Sequence, residues 1–128
     1  MHQMKGIGWY LSGPMAGYTD LNFPLFCQVA AAFRAQGIDI INPAELCSAT
    51  TDWETAMAID LAAMRQAAGM LMLPGWEYSS GARLEWAWAR AWRLPRLPVH
   101  VGWALLIERS KPWGTDMNAV SFRIGSLS

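Results

Sequence analysis

The stretch "LMLPGWEYSSGARLEWAWA", Leu71–Ala89, decides how the chain is read. An apolar, strand-like run ends in Pro74-Gly75, a pair that stops a strand and starts a turn. A short polar loop follows, and Gly81 opens a Trp-rich helix with Glu85 in its first turn. Strand, loop and helix in this order form half of a βαβ unit, which implies a parallel sheet. Ligands of such sheets bind at the carboxyl ends of the strands, where this loop lies. A first-turn glutamate that only complements the helix dipole, worth roughly 0.3–1 kcal/mol, is the plain alternative for Glu85.

Working outward, Ile7–Leu11 reads as a buried strand closed by "SGPMAG". Asn22 and Pro24 open an Ala-rich helix that Gly37 stops. Ile38–Ile41 is a short second strand, ended by Asn42-Pro43, and Thr51-x-x-Glu54 is a capping-box signature for a helix over Asp52–Gln66. Gly69–Leu73 is the third strand, Gly81–Trp92 the next helix, and "LPVHV" (Leu97–Val101) the fourth strand. Leu105–Glu108 either extends the sheet or forms a short helix, and the last fifteen residues read as a tail. The alternation predicts an α/β three-layer sandwich with a parallel, flavodoxin- or Rossmann-like sheet in the order 2-1-3-4-5. One domain spans 1–128, with a core over about 7–108 and a tail over 109–128. Three strand-end loops then frame any site: Ser12–Asp20, Asn42–Thr51 and Pro74–Ser80.

The totals exclude several classes of function. Ten basic and ten acidic residues cancel, so no global field draws the chain to nucleic acid or to an anionic membrane. Cys27 and Cys47 form no CxxC pair, a usage that suits a reducing cytoplasm. The N-terminus has too little apolar length for a signal peptide, and the longest uncharged runs are roughly half a membrane span. Eight tryptophans are the oddity, and they point first to core and subunit contacts. Gly6-x-Gly8 precedes the first strand, so GxGxxG is not met, and no P-loop or GxSxG elbow is present. His2 and His100 lack Cys or His neighbours, which leaves no metal cluster and no cofactor motif.

What remains is carboxylates, hydroxyls and Tyr10. In the helix after the third loop, Leu84, Ala87, Trp88 and Ala91 read as the core stripe and Arg83, Trp86, Arg90 and Arg93 as the opposite one, with Glu85 between. Asp60 is the stronger anomaly, because it falls inside the apolar stripe Trp53, Met57, Leu61, Met64. A charge there must pair, with Arg65 or Arg34 as structural partners, or shift its pKa. The alternative is a carboxyl facing the same cleft as Glu85. Two carboxyls at one small pocket suit glycosidic bond cleavage, one as nucleophile and one handling the leaving-group proton.

These residues carry a resemblance. "YLSGPMAG", "MAIDLAAMRQAAGMLMLPGWE" and "SSGARLEWAWA", in that order over about residues 7–101, resemble the motifs of the nucleoside 2-deoxyribosyltransferase-like superfamily. That superfamily includes deoxynucleoside 5'-monophosphate N-glycosidases, and the likeness is greatest to a small phage and bacterial branch. The resemblance implies Glu85 as nucleophile, Asp60 as the acid facing the nucleobase, and Tyr10 as the hydroxyl that orients Glu85. It implies a substrate site at Ser12, Gly13, Gly17, Ser79 and Gly81, with no metal or cofactor. Ser79 matches the serine of nucleotide-cleaving members, where nucleoside-transferring members carry Asp. Pro14 and Ala16 stand where nucleotide-cleaving relatives place Ser and Arg, which removes a phosphate anchor. Trp76 either stacks on a base or covers the core as a turn residue.

The expectation is therefore cleavage of the N-glycosidic bond of a (deoxy)nucleoside or its 5'-monophosphate, by hydrolysis or base exchange, in a cytoplasmic homo-oligomer. The resemblance implies that a neighbouring subunit completes the site, with Asp116 or Asn118 as the candidates, and Trp86 among arginines would mark the interface. Two alternatives stand beside it. One is a nucleotide-binding module without catalysis. The other is a phosphoribohydrolase of the PGGxGTxxE type, although "PGWEYSSGARLE" has a proline-to-glutamate spacing of eleven rather than eight.

Overall fold

The computed structural model describes residues 8–110. Four strands, β1 (Trp9–Ser12), β2 (Ile40–Ile41), β3 (Gly69–Met72) and β4 (Arg96–Pro98), form one all-parallel sheet in the order β2-β1-β3-β4. Tyr10 pairs with Ile41 on one side and Met70 on the other, and Ser12 pairs with Met72. The chain moves from β1 outward to β2 and then returns to the other side of β1 as β3. The loops after β1 and β3 therefore diverge at a switch in strand order, where a crevice opens.

Side chains alternate across the sheet with the period of two that a strand imposes. Leu11, Leu71 and Leu73 meet Phe26, Val29 and Phe33 of α1 (Phe23–Arg34) and Val99 and Trp103 of α5 (Val99–Leu106). On the other face, Tyr10, Met70 and Met72 meet Met64 of α3 (Trp53–Met64) and Ala89 of α4 (Ser80–Ala91). Each face of the sheet thus carries its own apolar cluster. No helix among the described residues is long and apolar enough to cross a membrane.

Several expected elements differ. Among the described residues there is no fifth strand: Val99 begins a helix directly after Pro98, so "LPVHV" is split between β4 and α5, and the helix takes up Leu105 and Leu106. Asn42-Pro43 opens a short helix, α2 (Pro43–Leu46), with the Asn42 side chain accepting from the Ala44 N–H at 3.0 Å. This is a capping residue followed by proline at the first helical position, a signal first read only as a strand stop. The cap of α3 is Asp52 rather than Thr51: its carboxylate accepts from the Thr55 N–H at 2.8 Å and the Thr55 hydroxyl at 2.9 Å.

In α4 the stripe assignment was rotated. Ala82, Glu85 and Ala89 are buried, whereas Ala87 and Ala91 are exposed and Trp88 is 42% exposed. Tryptophan bulk on two sides of this helix hid which arc faces the sheet. Trp86 is half-buried, stacked on Trp76 at 5.8 Å and 14°, with the Arg96 guanidinium 4.8 Å from its ring. Arg96 is thus a cation–π partner of Trp86 within the chain, while the stripe arginines Arg83, Arg90 and Arg93 are exposed. Asp116 and Asn118 lie outside the described residues.

Candidate active site

Tyr10 and Ser12, two residues apart on β1, point to the same side of the sheet. Both are buried, and both hydroxyls donate to Glu85: Tyr10 to Oε2 at 2.9 Å and Ser12 to Oε1 at 2.6 Å. Two donors fix the carboxyl from below, and the 2.6 Å bond has the shortness of a charge-assisted one. Close approach at the end of β1 depends on Gly13, where a Cβ would lie 2.7 Å from Leu73 Cβ.

Asp60 comes from α3, in the buried stripe Met57, Asp60, Met64. Its Oδ1 is buried without a hydrogen-bond partner. Neither structural partner reaches it. Arg34 forks onto Glu45, with both bonds at 2.8 Å, and Arg65 stacks on Trp92 at 4.9 Å.

Glu85 and Asp60 line one cavity of about 360 Å³, the size of a small-molecule site. All three expected loops contribute to it: Gly13, Pro14 and Tyr18 after β1, Pro43 after β2, and Ser79 and Ser80 after β3. Gly81 and Met57 complete one wall, and a Cβ on Gly81 would lie 3.4 Å from Met57 Cε.

Burial sets the electrostatics. It pushes Glu85 up to about 8, with the Asp60 charge adding to the rise and the Ser12 and Tyr10 hydroxyls opposing it. It raises Asp60 to about 6, the Tyr10 hydroxyl partly offsetting the shift. Tyr10 itself is driven well above its ordinary value by burial and then by the two carboxylates, so it stays a donor. Two carboxyls that resist joint ionisation share one proton near neutrality. Such a pair offers one carboxylate and one acid to a bound ligand.

Not every expected residue is in the cavity. Glu85, Asp60, Gly13, Ser79 and Gly81 line it. Ser12, expected to touch substrate, instead lies beneath Glu85 at 1% exposure. Gly17 is exposed at φ +86°, a turn position that favours glycine, and lies outside the lining. Trp76 is stacked on Trp86, packs against the core cluster and does not line the cavity. The aromatic lining is Trp53, Tyr18, Tyr78 and Phe26, which sequence reasoning missed. Trp53 shares a stripe with Asp60, and that spacing was the available signal. Arg83, read as pointing away, also lines the cavity.

Residues 7–97 match the family described as Domain of unknown function (DUF4406). The chain belongs to that family, and the match includes Tyr10, Ser12, Asp60 and Glu85. None of the curated proteins matches the chain.

Proposed function

We propose that the protein cleaves the N-glycosidic bond of a (deoxy)nucleoside or its 5'-monophosphate. The observation that carries the reading is the meeting of two buried carboxyls from different helices, Glu85 and Asp60, at one small-molecule cavity, with Glu85 held by two hydroxyls. A purely structural pair would be neutralised by an arginine, and none does so among the described residues.

In the reaction, Glu85 as carboxylate attacks C1' of the sugar while the C1'–N bond breaks. The bond's electron pair leaves with the base, which takes the Asp60 proton, and the sugar remains as an ester on Glu85. Asp60, now a carboxylate, takes a proton from water as the water oxygen attacks C1'. Glu85 is released and Asp60 is reprotonated. An incoming base in place of water gives exchange. With Glu85 at about 8 and Asp60 at about 6 the shared proton resides mainly on Glu85, so the reaction draws on the minor form, with the charge on Glu85 between the Tyr10 and Ser12 hydroxyls and the proton on Asp60, whose Oδ1 has no hydrogen-bond partner.

Incubation with a panel of deoxynucleosides and their 5'-monophosphates, with and without a free acceptor base, tests this by chromatography. Free base or exchanged product is expected, and Glu85→Ala should abolish it. Binding without turnover would favour a sensing module. Release from ribonucleotides alone would favour the phosphoribohydrolase reading.

A further inference from the structure

A helix on the surface of a folded chain normally presents a charged face to water, and α3 does not. Its 12 residues carry two charges: Asp60, which is buried, and Glu54, in the first turn. The outward arc, Thr55, Ala58, Ile59 and Ala62, recurs at three and four residues, is exposed and holds no charge. Ile59 is 38% exposed. A helix that is apolar all round is ordinarily covered on both sides.

Helix α4 lies beside α3 and extends the apolar patch. A Cβ on Gly81 would lie 3.4 Å from Met57 Cε at one end of the pair, and Arg65 stacks on Trp92 at 4.9 Å at the other. Trp88, one turn before Trp92 and 5.3 Å from it ring to ring, therefore stands on the flank of α4 that borders α3. It is 42% exposed. The patch runs from Trp88 across Ala58 and Ala62 to Ile59, on the side of α4 away from Trp86.

We propose that this patch docks on the same patch of a second copy of the chain, α3 lying antiparallel on α3 about a twofold axis. The charges at the ends of α3 choose that occupant. Glu54 and Arg65 are eleven residues, roughly 16 Å, apart and lie on one flank, toward α4. Neither has an ion pair among the described residues. Their midpoint falls between Ile59 and Asp60, at the middle of the helix. A twofold axis there brings each Glu54 level with the partner's Arg65, whereas a parallel pairing would set like charges together. Ile59, beside the axis, packs on its own counterpart, and Ala58 and Ala62 let the two backbones approach.

The remaining features agree with a second copy. A zero formal net charge adds no long-range repulsion between chains. Arg83 and Arg90 lie on the flank of α4 away from α3, at the rim, where water and salt screen them. Two helices about 18 Å long, side by side, offer a face of roughly 18 Å by 20 Å, the lower end of what specific protein pairs bury. The dimer is accordingly expected at micromolar concentration. Met57, Asp60 and Met64 are buried on the other side of α3, so the pairing stands or falls independently of glycosidic cleavage.

The test is sedimentation velocity of the full chain from about 1 to about 100 μM. A species of twice the 14.2 kDa chain mass should grow with concentration. Ile59→Glu should weaken the dimer by at least roughly 100-fold, because symmetry buries the new charge twice. Glu54→Arg and Arg65→Glu should each weaken it roughly 10-fold, and the two together in one chain should restore it to within about threefold. The charge variants keep the test open whatever Ile59→Glu does to folding, which circular dichroism monitors. A chain that stays single at every concentration, whether its own C-terminal segment or another protein covers α3, overturns the proposal. A dimer that survives Ile59→Glu in a folded chain overturns this surface. Charge reversals that do not rescue one another overturn the antiparallel pairing.

Discussion

The Tyr10 hydroxyl donates to Glu85 Oε2 at 2.9 Å across 75 residues of sequence, while Ser12 holds the other oxygen at 2.6 Å. Removing either donor should damage turnover more than binding, since neither residue lines the cavity. Tyr10→Phe and Ser12→Ala are each expected to lower kcat by roughly 10- to 100-fold with KM little changed. Ser12→Ala should also move the alkaline limb of the kcat/KM profile to higher pH, because the Ser12 bond lowers the Glu85 pKa. A purely structural serine would leave that limb in place.

The pH profile itself follows from the shared proton. With Asp60 at about 6 and Glu85 at about 8, the singly protonated pair is most populated between those values. A bell-shaped kcat/KM is expected, falling about tenfold per pH unit beyond either limb. The proton's place within the pair alters the height of the bell and not its limbs. A profile flat from pH 5 to 9 would contradict the coupling.

Stability should run against function. The folded chain keeps Glu85 protonated at pH values where an unfolded glutamate, near 4.5, has ionised. Between about 4.5 and about 8 the folded state therefore binds the extra proton, and stability falls as pH rises through that window. Asp60, raised from 3.8 to about 6, adds a slope of the same sign below about pH 6, so Glu85→Gln should flatten the part between about 6 and about 8 and raise stability at pH 8 by about 1–3 kcal/mol, measured by urea unfolding at several pH values. An unchanged slope would mean Glu85 is ionised without cost in the fold.

The two tryptophans near the third loop should separate by phenotype. Trp53 lines the cavity and is 54% exposed, so Trp53→Ala should weaken ligand binding with little change in the unfolding midpoint. Trp76 is stacked on Trp86 outside the cavity, so Trp76→Ala should lower the midpoint and leave intrinsic affinity nearly intact. The opposite pairing would return the base-stacking role to Trp76.

Much of this was legible in the sequence, for identifiable reasons. Apolar runs ended by Gly, Pro or Asn gave the four strands, and the switch-point rule gave the three loops that meet at the cavity. Asp60 stood out because a carboxylate breaks an apolar helical stripe. Glu85 was harder, since α4 carries tryptophans on two faces and its wheel does not reveal the buried arc. Ser12 lies under the site and Trp76 takes the second of its two readings, a turn residue packed on the core, because strand-end and loop side chains within two residues of a site can lie under it, in it or behind it. That choice is made by tertiary contacts such as the Trp76–Trp86 stack. The end of β4 was misread because Pro98 caps a helix whose Val99 and Val101 resemble strand residues.

The central claim is a covalent bond between Glu85 and the sugar. A 2'-fluoro-2'-deoxynucleoside, or its 5'-monophosphate, destabilises the oxocarbenium-like transition state and slows hydrolysis of any glycosyl ester. Mass spectrometry of the intact protein after incubation, followed by peptide mapping, tests the claim directly. The account predicts a mass gain of one fluorinated sugar, on Glu85 alone and absent from Glu85→Gln. Turnover of the unfluorinated substrate with no adduct, or an adduct on another residue, would contradict it.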